Sequence, residues 1–224
     1  MTLTNMHHIL ILNSKGGCGK TTISVNIASF FACWGVQVAL ADFDKQHSST
    51  DWLRCRSKDN PRILSVAAWQ EDYHIPDEAE YVIMDTPAGL DGEAMLALLK
   101  KADTILIPIL PSPLDIRAAG RLIHDIMQQY NHLPNKPRIG IIANRVRRQT
   151  KIYNSLKRFI DKLDIDFIAS LRDTQNYITS TSTGTSLFEL PNWKKQKDLT
   201  GWCQLINWIN YNEIFEVPKL EDTA

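Results

Sequence analysis

The chain has 224 residues, with 25 Lys and Arg balanced by 25 Asp and Glu, for a formal net charge of zero. At 44% hydrophobic and 22% charged residues it has an ordinary globular composition, which excludes disordered, collagen-like and low-complexity classes and a uniformly basic nucleic-acid binder. No stretch approaches the roughly 20 apolar residues of a membrane span, and Cys18, Cys33, Cys55 and Cys203 lack CxxC or metal-type spacing, so free thiols in a reducing compartment are expected.

The length fits one domain over 1–224, with a core over about 8–190, a C-terminal helix over about 199–212 and an acidic tail over 213–224. The first residues carry neither a basic n-region nor an apolar h-region, so a cytoplasmic location is expected. In chain order, apolar runs predict strands over His8–Asn13, Val36–Asp42, Tyr81–Asp85, Thr104–Pro108, Arg138–Asn144 and Phe167–Leu171. They are apolar throughout and do not alternate, the pattern of strands covered on both faces. Helical spacing occupies Lys20–Cys33, Ser49–Cys55, Glu93–Lys101, Leu114–Tyr130, Ile152–Leu163 and Leu199–Tyr211. Gly35 reads as a helix stop, and Asn135-Lys136-Pro137 as a loop. Strand and helix alternating in this way predict an α/β fold, a mostly parallel twisted sheet with helices on both faces.

Between the first strand and the first helix stands Lys15-Gly16-Gly17-Cys18-Gly19-Lys20-Thr21-Thr22. Glycines let backbone N–H groups converge on phosphate oxygens, and the helix that follows presents its positive end to the same place. In such a loop Lys20 reaches the β- and γ-phosphates, and the Thr21 hydroxyl ligates Mg²⁺. Asp42 and Asp44 end the second strand and Asp85 the third, and in an open parallel sheet the carboxyl ends of strands border the ligand crevice. Asp42 reads equally as part of that network or as a strand-terminal cap.

A lysine at both ends of the loop resembles the ParA/MinD family of deviant Walker A ATPases. Asp42-Phe43-Asp44-Lys45-Gln46 is similar to that family's first switch, and Asp85-Thr86-Pro87-Ala88-Gly89 to its Walker B and second switch. The resemblance runs from about His8 to about Leu190 and implies a P-loop NTPase fold. It implies ATP and Mg²⁺ as cofactors, Asp44 acting on the attacking water, and Asp85 holding Mg²⁺ through a water. It also implies an ATP-sandwich homodimer in which Lys15 crosses to the partner's phosphates. Asn144 is implied as an adenine contact, with Arg145 beside it. Cys18 stands where the family commonly has a small apolar residue, and reads as a packing choice.

Four functions share this core. An iron–sulfur electron carrier needs cysteine ligands, and none lies between Cys55 and Cys203. The tyrosine-kinase branch carries a tail tyrosine cluster, whereas only Tyr211 lies beyond residue 190. A MinD-type membrane helix needs Lys and Arg on its polar face; here Trp202, Leu205, Ile206 and Ile209 share a face whose polar neighbours are Gln204, Asn207 and Asn210, followed by acidic residues. No stable membrane anchor is expected, although this remains the alternative reading.

The fourth reading, a ParA-type ATPase that binds DNA non-specifically, has a basic block behind it. Residues 136–158 hold eight Lys and Arg and no acid, while 71–93 hold eight acids and no Lys or Arg, so the neutral net charge conceals two opposed segments. Arg147, Arg148, Lys151 and Arg172 are the expected DNA contacts, because phosphate contacts are additive and need no sequence. The resemblance implies a ParB-like or adaptor protein that stimulates hydrolysis, association with the nucleoid in the ATP state, and a plasmid, chromosome region or protein assembly as cargo.

Overall fold

A computed structural model describes residues 6–210. Seven strands form one sheet: β1 (His7–Ile11), β2 (Val38–Asp42), β3 (Leu64–Val66), β4 (Tyr81–Asp85), β5 (Thr104–Ile109), β6 (Arg138–Val146) and β7 (Asp166–Arg172). Their spatial order is β3-β2-β4-β1-β5-β6-β7, and every pairing is parallel. The helices are α1 (Lys20–Cys33), α2 (Ser48–Arg54), α3 (Gly92–Leu99), α4 (Pro113–Tyr130), α5 (Lys151–Ile160), α6 (Gln175–Thr181) and α7 (Asn192–Ile209), with a single 3₁₀ turn at Leu187–Glu189. This is the α/β P-loop NTPase fold that the sequence predicts.

Alternation along each strand sends side chains into two separate layers. Leu10, Leu12, Val82 and Met84 pack on one face under α3, α4 and α5, while Ile9, Ile11, Leu40 and Ile83 pack on the other with α1 and α7. The helix α1 is buried almost throughout, from Ile23 to Ala32, as a helix must be when apolar residues occupy every side of it. It ends where Gly35 takes φ 78° and the Gly35 and Val36 amides return to Ala32 and Phe31 carbonyls. Ser112 caps α4 by accepting the Asp115 amide at 3.1 Å, with Pro113 at the first helical position.

The apolar face of α7 is inside the protein: Trp202, Leu205 and Ile206 are fully buried and Ile209 nearly so. This helix lies so close to β7 that a Cβ at Gly201 would stand 2.5 Å from the Ser170 carbonyl oxygen. It begins at Asn192, earlier than expected, because its first turns are polar and carry no apolar period. Three further elements had no sequence signal. The strand β3 has only three residues, and α6 and the 3₁₀ turn are each shorter than the window in which periodicity is legible. Tyr211 and the acidic stretch 213–224 lie outside the described residues.

Candidate nucleotide site

Register brings the carboxyl ends of the strands level. Asp85 pairs with Asp42 on one side and with Ile11 on the other, so both acids stand at the edge from which the glycine loop departs. The loop is held by side chains on its flanks. Asn13, fully buried, donates to the Pro108 carbonyl at 2.5 Å and accepts the Lys15 amide at 2.9 Å. Gly19 caps α1 at φ 94°, a conformation that favours glycine, and a Cβ there would lie 2.3 Å from the Asn144 amide nitrogen.

The pocket at this edge has a volume of about 380 Å³ and is lined by Gly16, Gly17, Gly19, Lys20, Thr21, Thr22, Asp44, Gln46, Ser48, Thr86, Pro87, Ala88 and Arg145. The Lys20 side chain is buried, its Nζ donating to the Asn13 and Lys15 carbonyl oxygens at 3.2 Å each. Asp44 is oriented from two sides: its amide donates to Asp42 Oδ1 at 3.0 Å, and its Oδ1 accepts the Gln46 amide at 2.9 Å. Asp42, buried, spends its second oxygen on the Thr50 amide at 3.0 Å. Asp42 thus accepts amides from both Asp44 and the first turn of α2, as a cap at the strand end does.

Asp85 is fully buried, and burial raises its carboxyl from the usual 3.8 to about 7; the hydroxyls of Thr21 and Ser24 and the Lys20 ammonium act the other way. Its Oδ1 accepts from Ser24 Oγ at 3.1 Å, while Oδ2 is buried without a hydrogen-bond partner. A buried carboxylate oxygen left unpaired beside a threonine hydroxyl suits a hydrated Mg²⁺, a hard cation that favours oxygen ligands. The following segment is tied to the loop through the Gly89 amide, which donates to the Ser14 carbonyl at 3.0 Å.

Four residues predicted for the nucleotide and metal site do not line the pocket: the fully buried Asp85 behind it, and Lys15, Cys18 and Asn144. Cys18 is fully buried, its thiol donating to the Lys15 carbonyl at 3.3 Å and raised by burial, as a packing residue would be. Asn144 is buried too: its Nδ2 donates to the Cys18 carbonyl at 2.7 Å and its Oδ1 accepts the Arg145 amide at 2.9 Å. Its Nδ2 keeps one further hydrogen to donate and its Oδ1 one further lone pair. Neither Asn13 nor Ser24 stood out in the sequence, since a polar residue next to a motif carries no mark of what it will touch. Among the described residues all four cysteines are free thiols.

Three of the four expected DNA contacts, Arg147, Arg148 and Arg172, line a second cleft of about 430 Å³ with Lys197, Asp173 and Asp198, whereas Lys151 does not. Arg147 is exposed but paired with Asp173 at 2.8 Å, and Arg172 donates to the buried Asp198 at 2.7 Å, which holds its guanidinium in the charged form. Lys151 opens α5 and is exposed. The left-handed Arg145, φ 50°, lies in a register irregularity of β6 only two residues before Arg147, so one strand end serves both the pocket and the cleft.

The model of the CobQ/CobB/MinD/ParA nucleotide-binding domain matches residues 9–187. The Halothiobacillus neapolitanus maintenance of carboxysome distribution protein A is 30% identical over 191 residues, 81% of this chain and 87% of that protein. The ATP complex of a Cyanothece McdA variant superposes with a TM-score of 0.70 over 96% of this chain and 99% of that one, at 17% identity. Septum site-determining MinD with Mg-ADP from Pyrococcus horikoshii gives 0.63 over 92% and 96%, at 18% identity. These two structures share the fold.

Proposed function

Because the chain belongs to the CobQ/CobB/MinD/ParA nucleotide-binding family, we propose that it is a positioning ATPase of the McdA and ParA kind. It works as one domain that closes into a homodimer around two ATP molecules, binds DNA non-specifically in that state, and releases it after hydrolysis stimulated by an adaptor protein. The observation that carries this reading is the pocket in which Gly16, Gly17, Gly19, Lys20, Thr21, Thr22, Asp44 and Arg145 converge while Lys15 stands outside its lining. The protein is cytoplasmic and coats the nucleoid with ATP bound. Likeness to a carboxysome distribution protein favours a protein assembly as cargo over a plasmid.

The residues divide the work as follows. The loop amides and Lys20 bind the phosphates and hold them at the positive end of α1. Asp44, fixed through Asp42 and Gln46, orients the attacking water; Thr21 and Asp85 would hold Mg²⁺, which would neutralise phosphate charge. Lys15 completes the partner's site, placing a positive charge where charge develops on the transferred group. Lys15→Ala is therefore expected to remain monomeric with ATP in sedimentation velocity, where the wild type forms a dimer; a variant that dimerises normally removes the trans lysine from this reading.

DNA meets Arg148 and Lys151 directly, with Arg147 exchanging Asp173 for phosphate. Arg147→Glu with Arg148→Glu should weaken affinity for random duplex at least about tenfold and flatten the salt dependence by about 2 in slope, with ATP turnover retained. Unchanged binding would place the DNA face elsewhere. The membrane alternative has the burial of Trp202, Leu205 and Ile206 against it, because the face that would enter lipid is already packed on the sheet.

A further inference from the structure

The helix α2 stands between two cavities. Ser48, its first residue, lines the nucleotide pocket, whereas Thr50 and Leu53 line an open cleft of about 710 Å³ beside β3, the edge strand of the sheet. Every charged side chain lining this cleft is basic: Arg54, Arg56, Lys58 and Arg62. Arg56 is neutralised in a buried ion pair with Glu189, and Arg54 meets the exposed Asp51 at 2.8 Å. Among the described residues no ion pair is found for Lys58 or Arg62. Two lining residues carry buried polar atoms with no hydrogen-bond partner, Thr50 Oγ1, on a residue only 8% exposed, and Asn60 Nδ2. Buried donors and acceptors are rarely left unpaired, so both atoms point to an occupant that supplies partners.

We propose that the cleft binds an acidic segment of a partner protein in extended conformation, laid along β3. An edge strand is paired on one side only and accepts a further strand on the other. Carboxylates of the segment face Lys58 and Arg62, its backbone serves Asn60 and Thr50, and alternate apolar side chains rest on Leu53 and Trp69, whose ring is backed by His47 at 4.0 Å between centroids. Leu53 and Trp69 beside the two exposed cations favour the peptide over nucleic acid, because a phosphate backbone has no apolar side chains to set on them. The docking has a path to the first site. The Thr50 amide and the Asp44 amide donate to the two oxygens of one carboxylate, that of Asp42. That coupling rests on the nucleotide reading of Asp44; the docking does not.

The probes are two short fluorescein-labelled peptides, one alternating Val and Glu and the other alternating Val and Lys, titrated with the full chain in the absence of nucleotide and followed by anisotropy. The Val–Glu peptide should bind and the Val–Lys peptide should not. Lys58→Glu with Arg62→Glu should weaken binding at least about tenfold, and Asn60→Ala severalfold, with ATP affinity in each variant serving as the check on folding. Equal binding of both peptides, binding of neither, or displacement by random duplex that the charge reversal abolishes would overturn the proposal. If the peptide's affinity does not change when ATP is added, the path through Asp42 is wrong and the docking stands.

Discussion

Lys20→Ala is expected to lower ATP affinity about 100- to 1,000-fold, the scale of losing one charged partner of a phosphate in a water-poor site. The side chain is 7% exposed and its ammonium is held by two carbonyl oxygens of its own loop, Asn13 and Lys15. It is therefore preorganised, and no rotamer freedom is lost when phosphate arrives. The loop itself survives the substitution, because Asn13 and Asn144 hold it through Pro108, the Lys15 amide and the Cys18 carbonyl. Fluorescent ATP titration gives the affinity and circular dichroism the fold. Affinity within twofold of the wild type would exclude Lys20 from phosphate binding and with it the present assignment of the loop.

What the sequence made legible follows from how local each signal is. The glycine loop, the two strand-terminal acids and six of the seven strands were readable because each is a short pattern at a predictable place. Asn144 was readable as a residue but not as a contact: its bond to the Cys18 carbonyl joins positions 126 residues apart, which only the sheet order brings together. Asp42 stayed ambiguous for the same reason, since its second oxygen meets Thr50, eight residues on, only once α2 has formed. The basic block was visible as composition, yet Asp173, which pairs with its Arg147, lies on a distant segment, and so does Asp198, which pairs with the further expected contact Arg172, so the count of charges overstated how many are free to meet phosphate.

Asp85 carries the second large effect, and it is one of stability. Its carboxyl is raised from the usual 3.8 to about 7, first by burial. The native state then holds its proton more tightly than the unfolded chain does, so stability is complete below about pH 4 and falls as pH rises through 4 to 7, with the whole loss present above 7. A shift of that size corresponds to about 4 kcal/mol. Asp85→Asn keeps the shape and removes the ionisation, so in urea titrations without nucleotide or magnesium the variant should match the wild type near pH 4 and exceed it by up to about 4 kcal/mol at pH 8. Adding Mg-ATP should stabilise the wild type strongly and the variant little, because the unpartnered Oδ2 that burial leaves costly is what the hydrated cation would use. Parallel stability curves for the two proteins from pH 4 to 8 would show that Asp85 stays ionised when buried, and its place at the magnesium end of the pocket would need another explanation.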